Sequence, residues 1–147
     1  MPKLAAGILL YRLQADRARP EVLLVRRRSA RSSRPGAPGW SIPKGKPLPR
    51  ERLIDAARRE FEEETACPAP PRLVELGEVV EPSGKRVAVW AADAAWSAER
   101  GEEQNGHRPA AEIAEVGWFD ARRARDLLRT GQVPLMNRLE RLVKQRD

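Results

Sequence analysis

Apolar residues recur along the chain in two patterns, which predict two kinds of element. Runs that alternate or cluster over five to ten positions predict strands at residues 4–13, 21–27, 73–81, 86–92 and 115–119. Ser83 and Gly84 predict a hairpin turn between the third and fourth of these strands, because such residues favour tight turns.

Three segments have helical spacing instead. In residues 49–65, Leu53, Ile54, Ala57 and Phe61 form one apolar stripe, which predicts a helix packed on a sheet. Asp120 is placed to cap a second helix reaching residue 128, and Pro134 stands in the first turn of a third. The irregular order of strands and helices favours an α/β sandwich over a doubly wound sheet. At 147 residues we expect a single domain, residues 1–147.

Residues 3–11 place a basic residue before a short apolar run, as a signal peptide does. The run is too short to span a bilayer and lacks a convincing small-residue cleavage site, so it predicts a strand. Cys67 is the single cysteine and cannot form an internal disulfide, and no Cys and His residues have zinc-site spacing. We therefore expect a cytoplasmic protein with no membrane partner.

The formal net charge of +7 favours anionic partners, but it does not choose among nucleic acid, acidic membranes and phosphorylated small molecules. The densest basic run, residues 26–34, is explained at least as well by a solvated loop as by a phosphate site. A P-loop is excluded because Pro47 follows Gly45 and Lys46. The only histidine, His107, lies in a polar loop, which argues against a Ser-His-Asp site.

The most informative feature is an acidic run at the end of the first predicted helix. Glu60 precedes Glu63 by three residues and Glu64 by four, so the three carboxylates share one helix face. They repel one another, and each costs roughly 0.3–1 kcal/mol near a helix C-terminus. A solvated acidic face is the usual explanation of such a run. Here the apolar stripe opposite, and the Gly- and Pro-rich residues 40–49 before it, favour a site for Mg²⁺ or Mn²⁺.

Seven residues stand at the spacings of one known signature, GX5EX7REUXEEXGU: Gly45, Glu51, Arg59, Glu60, Phe61, Glu63 and Glu64. In these residues the chain resembles the Nudix hydrolases, whose signature this is. The match departs at Ala66, which replaces the closing glycine, and at Cys67, which stands for the last apolar residue. The resemblance implies an α/β/α sandwich with a mixed sheet, in which the signature forms a loop, a helix and a loop.

The resemblance also implies a division of roles. Glu60, Glu63 and Glu64 would bind Mg²⁺, or alternatively Mn²⁺, helped by a backbone carbonyl at Lys44 or Gly45. Arg59 would orient these carboxylates by pairing with Glu51 or Glu63. The general base would be a signature glutamate, foremost Glu63 or Glu60, or a loop glutamate: Glu112 first, then Glu102, Glu103 and Glu115, each otherwise an ordinary surface residue.

Lys44 and Lys46 are the expected phosphate contacts, and Trp40 and Trp96 are candidates to stack on a base, whereas Trp90 and Trp118 fit a core. The implied activity is hydrolysis of a diphosphate linkage, with nucleoside triphosphates and dinucleoside polyphosphates favoured as substrates. The alternative is a Nudix-fold regulatory protein that binds nucleotide or nucleic acid without catalysis, which we favour less because the acidic run is intact. The sequence leaves open a monomer or a homodimer.

Overall fold

A computed structural model describes residues 3–14, 19–28, 39–96 and 108–145. The strands are β1 (Leu4–Leu13), β2 (Pro20–Arg27), β3 (Trp40–Ser41), β4 (Lys44–Gly45), β5 (Val74–Val80), β6 (Arg86–Asp93) and β7 (Ile113–Asp120). The helices are α1 (Leu53–Thr65), α2 (Ala121–Leu127) and α3 (Pro134–Gln145), with a 3-10 helix at Thr130–Gln132. Among these residues, no helix is long and apolar enough to cross a membrane.

The seven strands form one mixed sheet. Five of them follow the order β3-β2-β1-β6-β5, while β4 pairs with β1 and β7 pairs with β2. The β1–β6 pair is parallel, with Ile8 opposite Trp90, and the other pairs are antiparallel. The predicted α/β class with a mixed sheet is confirmed.

Alternate side chains of β1 supply two separate cores. Ile8 and Leu10 pack with Phe61 of α1, whereas Leu9 packs on the other side of the sheet with Leu135 and Leu139 of α3. This alternation follows from the twofold repeat of a strand, and each fully buried side chain of this kind contributes about 1.5–3 kcal/mol. The sheet therefore lies between α1 on one face and α2 and α3 on the other.

The helix α1 begins later than its apolar pattern predicts, at Leu53 rather than at residue 49. The residues before it form a turn in which the Glu51 amide donates to the Leu48 carbonyl at 3.0 Å, and Arg50 has a φ of 67°. A left-handed residue cannot belong to a right-handed helix, so the helix starts after the turn. The strands β3 and β4 were not predicted, because two residues show no periodicity.

Two local predictions are confirmed. The Asp120 carboxylate accepts a hydrogen bond from the Arg123 amide at 2.8 Å and so caps α2. Gly84 has a φ of 89° in the turn between the antiparallel strands β5 and β6. A positive φ favours glycine, which explains the hairpin at this point.

Ala66 ends α1 in a left-handed conformation, with a φ of 61° and a ψ of 16°. Its amide donates to the Glu62 carbonyl at 3.0 Å, as the residue after a helix commonly does. The chain thus leaves α1 in the shape that a glycine would adopt without strain.

We expect Ala66→Gly to raise the free energy of unfolding by up to about 1 kcal/mol, because the left-handed region costs an alanine roughly 1–2 kcal/mol and the added freedom of the unfolded chain offsets part of the gain. Chemical denaturation measures the difference. Ala111→Gly is the matched control, since Ala111 is exposed and has no positive φ. A lower stability for Ala66→Gly than for the unaltered protein would contradict the strain.

Candidate active site

The acidic helix lies directly on the backbone of β4 at Gly45. A Cβ atom added to Gly45 would lie 1.2 Å from the Glu60 Oε2 atom and 2.0 Å from its carboxyl carbon. No side chain can occupy this position while Glu60 keeps its place. The absence of a side chain at residue 45 therefore allows a carboxylate of α1 to rest on the strand.

Arg59 links the helix to the chain on its N-terminal side. Its Nε and Nη2 atoms donate to the two oxygens of Glu51, both at 2.9 Å, and Nη2 also donates to the Lys46 carbonyl at 3.1 Å. Such a bidentate contact between a guanidinium and a carboxylate is strong and directional. The Arg59 hydrogen bonds lower the pKa of Glu51 to about 2, so the pair stays charged over a wide pH range.

Glu60 and Glu63 lie side by side beneath the same guanidinium. The Arg59 Nη1 atom donates to Glu60 at 2.8 Å and approaches Glu63 at 3.4 Å. Burial, and then the Glu63 carboxylate, raise the pKa of Glu60, while Arg59 acts in the opposite direction. The Glu63 side chain is 53% exposed and the Glu60 side chain 15% exposed, so Glu63 is the member of the pair that faces solvent.

Glu64 has a different environment. Its side chain is only 2% exposed, accepts from Arg27 at 2.7 Å and from the Lys44 amide at 3.2 Å, and has a pKa that burial raises to about 7 against the opposing effect of Arg27. Arg27 also donates to the Lys44 carbonyl at 3.3 Å. Sequence reasoning noted Arg27 only as part of a basic run. The position of Arg27 at the end of a strand, facing α1, was the feature that could have indicated this contact.

The three glutamates fit a divalent cation by the chemistry of their atoms, since Mg²⁺ and Mn²⁺ prefer carboxylate oxygens. In the described part of the chain, however, no three acidic, cysteine or histidine side chains stand close enough to hold an ion as they are. Glu60 and Glu63 are together, whereas Glu64 is engaged by Arg27. Of the three carboxylates that we expect to converge, two do so, those of Glu60 and Glu63.

The expected phosphate and base contacts differ in their exposure. Lys46 is exposed beside the Arg59 contact, but the Lys44 side chain is 4% exposed and its charge interacts mainly with Glu81, while burial lowers its pKa to about 8. Trp40 is half-buried and packs edge-on against Phe119, with ring centroids 4.7 Å apart. The structure thus presents Lys46 to solvent and turns Lys44 and Trp40 inward.

The loop before β7 lies against the end of α1. The Ala110 amide donates to the Glu63 carbonyl at 2.8 Å, and the Arg28 amide donates to the Glu112 carbonyl at 2.8 Å. The loop that carries the exposed Glu112 is therefore joined to the C-terminal end of α1, and a role of Glu112 as base stays a prediction. Glu115 instead pairs with Arg26 at 2.6 Å. The remaining candidates, Glu102 and Glu103, lie outside the described residues.

The other tryptophans pack against the core that α1 covers. Trp90 and Trp118 are half-buried there, in agreement with their expected role, and the Arg12 guanidinium lies 4.2 Å from the Trp118 ring centre. Trp96 is also half-buried, with Arg72 4.8 Å from its ring centre. A role in base stacking stays a prediction for Trp96.

The Glu51–Arg59 pair gives a pH-dependent prediction. A carboxyl whose folded pKa is about 2 against an ordinary 4.5 stabilises the fold above pH 4.5 and loses that effect as the pH falls toward 2. We expect Glu51→Gln to lower the free energy of unfolding at pH 7, and the difference from the unaltered protein to shrink below pH 4.5. Denaturation without divalent cations measures it, and a difference that is constant from pH 7 to pH 3 would contradict the pair.

Comparison with known proteins bears on the family and the fold. The family model for the NUDIX domain matches residues 1–139. A search of curated proteins found no match. Among solved structures, a C. elegans Ap4A hydrolase binary complex is similar with a TM-score of 0.70 and 22% identity, over 96% of this chain and 98% of that one.

Two further structures extend the likeness. The NUDIX domain of Shewanella oneidensis NrtR, complexed with ADP ribose, has a TM-score of 0.67 and 20% identity, over 97% of this chain and 89% of that one. A mutT/nudix family protein from Listeria innocua has a TM-score of 0.65 and 21% identity, over 99% and 97%. At these identities the structures show a shared fold, and it is the family match that supports a pyrophosphohydrolase. The chain belongs to the Nudix family.

Proposed function

We propose that this Nudix protein is a Mg²⁺-dependent hydrolase of a diphosphate linkage in a nucleoside polyphosphate, either a nucleoside triphosphate or a dinucleoside polyphosphate. The observation that carries the proposal is the pair formed by Glu60, which rests on the bare backbone of Gly45, and Glu63, which is exposed beside it. Two similar folds, the Ap4A hydrolase and the ADP-ribose complex of NrtR, support a nucleotide-derived substrate. Mn²⁺ is the alternative ion.

The residues around Glu60 and Glu63 would have different roles in the reaction. A divalent cation held by Glu60 and Glu63, with Glu64 behind them, would neutralise phosphate charge and lower the pKa of the attacking water. Arg59 contacts Glu60 at 2.8 Å and would keep it oriented, and Lys46, which is exposed, is our candidate for the contact with a phosphate oxygen. Water attacks one phosphorus, the bridging P–O bond breaks, and the proton of the water passes to a carboxylate.

Glu63 is our candidate for the group that accepts this proton. Its contact with Arg59 is long, at 3.4 Å, and its side chain is the most exposed of the three glutamates. Glu64 is less suited, because it also joins Arg27 to the backbone of β4. Glu112 is the second candidate, since its loop adjoins the C-terminal end of α1.

A substrate panel tests the activity. Nucleoside triphosphates, dinucleoside polyphosphates and ADP-ribose are incubated with Mg²⁺, with Mn²⁺ and with a chelator, and the products are separated and quantified. We expect turnover of at least one nucleoside polyphosphate that the chelator abolishes. Nucleotide or nucleic-acid binding without turnover would support the regulatory alternative, and nucleic-acid binding should then weaken steeply with added salt.

Glu63→Gln tests the assignment of the site. We expect kcat to fall roughly 10²- to 10⁴-fold, the range for loss of a general base. The free energy of unfolding should change by less than about 0.5 kcal/mol, because the side chain is exposed and its repulsion by Glu60 is relieved. Steady-state kinetics and denaturation measure both quantities.

Glu62→Gln is the matched control. Glu62 is the exposed neighbour on α1, and its carboxylate accepts from the Ala69 amide at 2.9 Å, a bond that a glutamine oxygen keeps. Its kcat should stay within about twofold of the unaltered protein, since surface substitutions of this kind are near neutral. Equal losses for Glu62→Gln and Glu63→Gln would remove the special role of Glu63.

A further inference from the structure

Gln132 lies outside the signature, and its side-chain amide is fully buried. Both the oxygen and the nitrogen of this amide form hydrogen bonds. Its Oε1 atom accepts from the Ile42 amide at 3.0 Å, and its Nε2 atom donates to the Glu81 carboxylate at 3.2 Å. These partners define the orientation of the amide, since one is a donor and the other an acceptor. The side chain thus connects the segment before β4 to the turn after β5.

Glu81 provides a firm anchor for this amide. It is 6% exposed, its carboxylate lies 3.8 Å from the Arg129 Nε atom, and its charge interacts with the buried Lys44 ammonium. A Cβ atom on Gly131 would lie 2.7 Å from the Glu81 Cα atom. The 3-10 helix that carries Gln132 is therefore in direct contact with the backbone at Glu81.

The backbone of residues 40–45, which we call the lead-in, is held on both sides. On the side of α3, the Trp40 carbonyl accepts from the Arg129 amide at 3.2 Å, and Gln132 holds the Ile42 amide. On the side of α1, the Lys44 amide donates to Glu64. Ile42 is three residues before Gly45, the residue on which Glu60 rests, and the backbone between them also pairs with β1.

We propose that Gln132, anchored by Glu81, is a positioning residue for the hydrolysis: by holding the Ile42 amide, it fixes the lead-in and so the place of Gly45 beneath Glu60. The inference rests on the proposed function, since it assigns Gln132 a part in the same reaction. Ile42 is fully buried, so its amide needs an acceptor inside the protein, and Gln132 supplies it; the bond from Gln132 to Glu81 then fixes where that acceptor stands.

Two single variants separate the contacts. Gln132→Met keeps the length of the side chain but removes both hydrogen bonds. Gln132→Glu places a second carboxylate against Glu81, so that, where both groups are ionised, their repulsion displaces the side chain from the Ile42 amide. We expect each to lower kcat about tenfold or more while KM stays within about twofold, because misplacement of a site by a fraction of an ångström costs rate. Amide hydrogen exchange at Ile42 and Lys44 should accelerate.

A charge swap supplies the rescue. In the double variant Glu81→Gln with Gln132→Glu, the carboxylate at 132 accepts from both the Ile42 amide and the new amide at 81. We expect the double variant to recover most of the kcat and of the exchange protection lost in Gln132→Glu. Recovery of kcat and of exchange protection together would tie the rate to this hydrogen-bond network, whereas a variant that is only destabilised keeps its kcat as long as it is folded.

Leu139→Ala controls for loss of stability, since Leu139 is buried in the same core but takes no part in the network. Its kcat should stay within about twofold below its unfolding temperature. If Gln132→Met also keeps kcat within twofold, or if the charge swap fails to recover the kcat lost in Gln132→Glu, the positioning role is overturned. If the unaltered protein hydrolyses no nucleotide of the panel, the proposed function fails instead, and hydrogen exchange at Ile42 still reports whether Gln132 holds the lead-in.

Discussion

The contact between Glu60 and the bare backbone of Gly45 is the constraint on which the site depends. An acidic helix can approach a strand this closely only where the strand lacks a side chain, because a single carbon atom at residue 45 would overlap the carboxylate. Once that contact is made, Arg59 lies within reach of the Glu51 turn and of the Lys46 carbonyl. The helix, the turn and the lead-in then form one unit, and the position of each carboxylate follows from it.

The concentration of negative charge is tolerated because arginines from two directions offset it. Arg59 shares its guanidinium among Glu51, Glu60 and Glu63, and Arg27 reaches Glu64 from the end of β2. Desolvation opposes the attraction most in the pair of Arg27 with Glu64, which is the buried carboxylate of the group. All of these pairs also fix geometry, and the most exposed carboxylate, Glu63, has the longest contact with an arginine. A cation would therefore find carboxylates that are held in position and still carry negative charge to bind it.

Much of the fold could be predicted because its elements are long enough to show a period. The stripe of Leu53, Ala57 and Phe61 identifies α1, and the long apolar run of β1 identifies a strand buried on both faces. The strands β3 and β4 have two residues each and owe their conformation to pairing with β2 and β1, which no local pattern records. The start of α1 was misplaced for the same reason, since the left-handed Arg50 belongs to a turn closed by Glu51.

Helical spacing predicts which carboxylates of α1 are neighbours, but it does not predict their partners elsewhere in the chain. Glu60 and Glu63 are neighbours because they are three residues apart on one helix. The partner of Glu64 comes from 37 residues away and the partner of Ile42 from 90 residues away, and only the folded sheet brings them together. Lys44 illustrates the same limit. Successive residues of a strand face opposite sides of the sheet, and Gly45 faces Glu60. The Lys44 side chain therefore points away from α1, toward Glu81. The pairing of β4 with β1 determines this orientation, whether or not a phosphate is bound.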